Sequence, residues 1–149
     1  MKMPWDTAPV LLIRLMVGSV FASEGIQKFL FPEALGVGRF LKIGIPAPHV
    51  MAPFVGVVEI LFGVLLLIGL FTRLAALPLL INILVAIAST KLPMLFESGI
   101  WKAAHEARVD WSMLLGLLVL LMTGGGRWSI DGYLENRVAR RVNPARGAS

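Results

Sequence analysis

The chain has no cysteine, which removes disulfides, thiolate metal sites, cysteine nucleophiles and a redox-active CxxC pair together. Its two histidines, His49 and His105, both fall in stretches expected to be loops. Bis-histidine haem inside a helical bundle therefore has no support, and a lone loop histidine reads as a solvated residue rather than a metal ligand. The nine prolines and fifteen glycines include no GxGxxG after a strand and no GxxxxGK[ST], so nucleotide-binding folds have no footing. Charge is scarce too: 15% of residues are charged, against about 25% in soluble domains. So few charges cannot cover an apolar core in water.

What is present is apolar surface. Of 149 residues, 57% are hydrophobic, against about 45–50% in soluble domains, and mean hydropathy is +0.81. The charges lie between apolar blocks and near the ends rather than alternating with them. This pattern predicts an all-α fold: an integral membrane four-helix bundle, a single domain over residues 1–149, with no repeat and no linker. Net charge is +5 and the isoelectric point about 10.3. Four tryptophans and the lack of a basic stripe favour contact with membrane phospholipid over nucleic acid, although a merely positive set of solvated loops reads equally well.

The first span is placed at residues 10–30, about the 20 residues that cross a bilayer core, with Pro9 before it and Pro32 after. Lys2 and the Val20-Phe21-Ala22 run resemble a secretory signal, but Arg14 interrupts that core and the apolar run continues past Ala22, so the span is expected to be retained. Gly36 to Pro53, with Gly44, Pro46 and Pro48, holds too many breakers for a span. It reads as an ordered loop with a short helix around Val37 to Ile43.

The second span is placed at 53–71 and carries Glu59. After the short Thr72-Arg73 turn, the third runs back beside it over 74–90, with Lys91 able to snorkel. Phe96 to Asp110 reads as a polar loop with a helical turn, leading into a fourth span at 107–123 whose charged first turn must avoid lipid. Gly124-Gly125-Gly126 ends it, Trp128 suits an interface, and a basic tail covers 127–149. Lys2, Arg73 and the tail residues Arg127, Arg137, Arg140, Arg141 and Arg146 share one side. Both termini are therefore expected to be cytoplasmic. The opposite loops also carry bases, including Lys42 and Lys102, so the asymmetry rests on the density of the tail.

An ionisable side chain at mid-bilayer costs about 2.5–3.5 kcal/mol, so each needs a partner or a wet cavity. Glu24 and Lys28 are four residues apart, in the favourable helical order. Glu59 is expected about 9 Å inside the same edge as Glu24, by helix rise. Lys91, Arg108 and Asp110 belong to that same half. These six residues are the candidate ligand-binding set, and no residue is assigned a catalytic or metal-binding role. In one reading Lys28 or Arg108 grips an anionic or carbonyl group while Glu24 or Glu59 exchanges protons. In the other the charges neutralise one another and fix helix register. Asn82 reads as interhelical glue, and Gly18 with Ala22 as a close-approach stripe.

The ordered set Arg14, Gly25 and Lys28; Gly44-Ile45-Pro46; Gly56, Glu59, Gly63 and Gly69; Thr72-Arg73 with Ala75-Ala76; and Gly124-Gly125-Gly126 with Trp128-Ser129-Ile130-Asp131 resembles the DoxX family, from about Val10 to Asp131. The resemblance implies a small four-helix protein of bacterial inner membranes, related in name to a subunit of quinone-reducing sulfur oxidoreductases. Lys28, Glu59, Arg73 and Asp131 carry over as patterned residues, with Arg14 and Trp128 beside them as structural positions, and no catalytic list comes with them. Without cysteine or an evident haem, flavin or iron site, redox work needs a bound quinone or a partner oxidoreductase subunit. Three functions remain open: a quinone- or lipid-binding subunit of a membrane oxidoreductase; a non-catalytic scaffold or assembly partner; and a small metabolite carrier, which needs a homodimer to supply enough spans.

Overall fold

The computed structural model describes residues 7–142; Lys2 and Arg146 lie outside the described residues. Every regular element among those described is helical. Helix α1 spans Thr7–Leu30, and a short α2, Val37–Lys42, sits in the loop where the sequence predicts one. Helix α3 spans Pro48–Ile68, and α4, Thr72–Ala86, continues through a π-helical turn at Ile87–Lys91 into α5, Leu92–Ser98. Helices α6, Ile100–Glu106, α7, Arg108–Thr123, and α8, Ile130–Val142, follow among the described residues.

Three stretches are long and apolar enough to cross a membrane: Ala8–Leu30, Pro48–Ile68 and Thr72–Ser98. Helix α7, with 16 residues, is shorter than the usual span of about 20. Length alone therefore establishes three of the four expected spans. α1 packs chiefly along α3, α3 on α4, α4 on α7, and α7 returns to α1. Val17, Phe21, Leu66, Leu79, Leu117 and Leu120 fill the space between them. The outward faces are just as apolar: Leu12, Phe54, Leu61, Leu74, Ile81 and Leu115 are all more than half exposed. A soluble monomer does not present such a surface, whereas hydrocarbon accepts it without cost.

Several boundaries differ from those read in the sequence. α3 begins at Pro48, not Pro53. Pro48 occupies the first turn, where a proline's missing N–H is no loss, and Pro53 then removes one hydrogen bond without stopping the helix. The helix ends where Gly69 turns left-handed, φ 71°, while the Gly69 and Leu70 amides donate to the Leu66 and Leu65 carbonyls at 3.1 and 3.0 Å. Pro78 is likewise carried inside α4.

The stretch from Phe96 to Asp110 is mostly helix rather than loop, broken at Gly99, φ 84°. Its Glu, Lys, Ala and Arg residues are good helix formers, and polarity describes their solvent rather than their backbone. The basic tail contains α8, which Ser129 caps by accepting the Gly132 N–H at 3.0 Å.

Candidate functional site

Close approach of α1 and α3 creates the site. A methyl group built on Gly25 would stand 2.6 Å from the Gly56 carbonyl oxygen, and one on Gly63 would stand 2.7 Å from the Ala22 nitrogen. The stripe Gly18, Ala22, Gly25 thus lies directly on Gly56 and Gly63, as small-residue spacing allows. With the backbones this near, Lys28 of α1 reaches Glu59 of α3: its Nζ donates to Oε2 at 2.7 Å. The other carboxylate oxygen, Oε1, accepts from the Asn82 amide of α4 at 2.6 Å. Glu59 is only 4% exposed, and both of its carboxylate oxygens have a hydrogen-bond partner, as a buried carboxyl requires. Glu24 stands 3.9 Å from the same ammonium, and half of its side chain is exposed.

Glu24 and Glu59 stand at one level, as expected, since both reach the same Lys28 ammonium, but they differ in exposure: Glu59 is buried and Glu24 half-exposed. Because α3 starts at Pro48, Glu59 lies eleven residues into it, about 16 Å from its first turn at 1.5 Å per residue. The cation, not the second acid, is its neighbour.

Beyond the triad the cluster opens into a cavity of about 350 Å3 walled by α1 to α4, the π turn and the start of α7. Lys91 and Asp110 form a second ion pair in its wall at 3.4 Å. The π turn that carries Lys91 is held by Thr90 Oγ1, which donates to the Ala86 carbonyl at 2.6 Å. Single π turns concentrate at functional sites because they re-aim the side chains that follow. Phe21, Phe40, Ile83 and Met113 supply apolar wall.

Of the six expected site residues, Glu24, Lys28, Glu59, Lys91 and Asp110 share this cavity. Arg108 does not. Its guanidinium is exposed and donates to the His105 carbonyl at 2.8 Å, because α7 begins at Arg108 and turns that side chain back over α6. Arg39 and Glu106 line the cavity instead. Arg39 was visible in the sequence only as a loop charge; its relevance depends on α2 folding back onto α3. Asn82 also belongs to the cluster, so its role as glue between helices and its place in the site are one interaction.

The structural positions form a second cluster at the opposite end of α1. Arg14 is 2% exposed and donates to four carbonyls. Nε reaches Leu66 at 2.9 Å and Nη2 reaches Leu67 at 2.9 Å. Nη1 reaches Gly125 at 2.9 Å and Trp128 at 2.8 Å. Two of these carbonyls end α3, where the helix dipole favours a cation. The Asp131 carboxylate accepts the Phe71 and Thr72 N–H groups at 2.8 Å each, capping the start of α4 from a distance. Arg73 donates to the Met122 carbonyl near the end of α7 at 3.0 Å. Trp128 contributes its carbonyl while its ring stays exposed. Arg14, Arg73 and Asp131 all bond to backbone here, which joins the ends of α3, α4 and α7. Among the described residues there is no group of three or more His, Cys, Asp or Glu placed to hold a metal ion.

A fold that is helical throughout the described residues, with three membrane-capable helices and a charged cluster between them, defines a small polytopic membrane protein. The chain belongs to the DoxX family, whose family model matches residues 10–92. That stretch contains Arg14, Lys28, Glu59, Asn82 and Lys91 but stops before Asp110 and Asp131. The chain is 55% identical over 134 residues to Uncharacterized membrane protein Rv3486 of Mycobacterium tuberculosis, covering 86% of this chain and 82% of that one. It is 29% identical over 124 residues, 83% of this chain and 85% of the other, to CatD of Bacillus subtilis, a protein provisionally named an oxidoreductase. No solved structure matches the chain significantly.

Proposed function

We propose that the cavity takes the head group of a lipophilic quinone and that the protein is the quinone-binding subunit of a membrane oxidoreductase. The observation that carries this reading is a cavity of about 350 Å3 in which apolar walls surround a few convergent hydrogen-bonding groups, the composition a ring with two carbonyls requires. Lys28 spends only part of its three-donor capacity on Glu59 and Glu24, and Arg39 makes no hydrogen bond or ion pair among the described residues, so donors remain for both ring oxygens. Reduction of a quinone to a quinol takes two electrons and two protons. The electrons come from a partner subunit, and the protons reach the ring through Glu24, which is half-exposed, and Glu59 behind it. The family, and a relative bearing an oxidoreductase name, support this reading by analogy.

In this reading α7 is the fourth span, its polar first turn facing the cavity rather than lipid. The protein sits in a bacterial cytoplasmic membrane. The end bearing Arg73, Arg127, Arg137 and Arg141 faces the cytoplasm, and with it both termini.

The test is thermal unfolding in detergent with and without short-chain ubiquinone and menaquinone analogues. The expected result is a rise in melting temperature for the wild type with at least one analogue, and none in Glu59→Gln. No rise in the wild type with either quinone rejects the proposal. A second reading, a non-catalytic scaffold, is favoured by the way Lys28 and Asn82 engage both carboxylate oxygens of Glu59. It requires a stable copurifying enzyme and a Glu59→Gln protein that supports that enzyme as well as the wild type.

A further inference from the structure

Helix α8 stands apart from the bundle, since none of the spanning helices packs along it. At 100° per residue Ile130, Leu134 and Val138 fall on one stripe, which Arg141 closes in the last turn; Arg137 lies on one flank with Tyr133, and Asp131 and Glu135 lie on the other. The acidic edge begins at the protein, where Asp131 caps α4. The apolar stripe is left uncovered, with Leu134 46% and Val138 61% exposed. The Arg137 guanidinium stands 5.6 Å from the Tyr133 ring centre, so cation and aromatic present a joint flank. Arg127, just before the helix, is exposed as well.

The position of this helix is fixed. Its Asp131 N–H donates to the Gly69 carbonyl at 3.0 Å, directly at the end of the membrane-capable α3. A stripe of apolar residues held at the edge of the spans meets the acyl boundary first, and the arginines beside it meet phosphate.

We propose that α8 is a surface helix that docks on anionic phospholipid. Ile130, Leu134 and Val138 enter the acyl boundary, and Arg127, Arg137 and Arg141 sit on head-group phosphates. Each arginine near such a surface strengthens attachment about fivefold, so three of them select an anionic leaflet over a zwitterionic one.

The absence of cysteine makes the test direct, because Val138→Cys or Asn136→Cys introduces a single site for a spin label. Both positions are exposed, and labelling them leaves the bundle intact. In vesicles of three parts phosphatidylcholine to one part phosphatidylglycerol, the label at position 138 is expected to be reached by oxygen dissolved in the acyl region and shielded from a water-soluble nickel chelate. The label at 136 is expected to show the reverse. The contrast should be lost in Arg137→Gln/Arg141→Gln and reduced in pure phosphatidylcholine. Equal exposure of both labels to the chelate in the mixed vesicles overturns the proposal. So does shielding of both labels from both reagents, which means a protein covers the helix, and so does an undiminished contrast in pure phosphatidylcholine.

Discussion

Replacing Arg14 with methionine is expected to destabilise the protein by about 3–5 kcal/mol, the cost of removing one partner from a buried charged network. Methionine keeps much of the volume but none of the five donors, so the carbonyls of Leu66, Leu67, Gly125 and Trp128 lose the group that joins them. The Leu66 carbonyl retains a backbone partner in the Gly69 N–H, which keeps the total below four full penalties. Arg14→Lys should recover only part of the loss, because an ammonium is a point charge and the four acceptors are spread around a planar fork. Unfolding in lipid nanodiscs, followed by tryptophan fluorescence, measures both. A methionine variant within about 1 kcal/mol of the wild type, the range of an exposed ion pair, would show that the joint is not held by this side chain.

The second large effect concerns the triad. Lys28→Met strands the Glu59 carboxylate, which keeps only the Asn82 amide, and should cost about 3–5 kcal/mol. Glu59→Leu strands the Lys28 ammonium, but that group still has Glu24 at 3.9 Å, so the smaller loss is expected here. The double variant removes both charges and should be less damaging than the sum of the singles, with a coupling of about 2–3 kcal/mol. Additive losses would mean that the two side chains do not stabilise each other inside the bundle.

Much of this was legible in the sequence, for one physical reason: hydrocarbon tolerates so few charges that each one in a span points to a partner. Glu24, Lys28, Glu59, Lys91 and Asp110 were found that way, and all five line the cavity. The shared level of Glu24 and Glu59 was legible as well, and both reach the Lys28 ammonium; only the helix start was misread, because Pro53 sits inside α3. Arg108 was assigned by its neighbourhood in sequence, but a helix that starts at that residue can aim it in any of several directions, and it aims outward.

The misses share a cause. Arg39 enters the site through tertiary folding of α2, for which no local signal exists. Helix α8 did leave signals, the Ser129 cap and the four-residue spacing of Ile130, Leu134 and Val138, but its charge density reads first as a tail. The joint around Arg14 was marked only as a set of positions. What they bind is backbone, and a sequence does not show which carbonyls a fold leaves over.

The proposed quinone site is the cavity behind Lys28, Glu59 and Asn82. Native mass spectrometry of protein released from its own membranes tests it, comparing the wild type with Ala86→Phe, which puts a ring into the cavity without removing any charged group. One isoprenoid quinone retained per wild-type chain and none on Ala86→Phe is the expected result. A wild-type chain that carries no quinone, or a filled variant that carries as much, contradicts it.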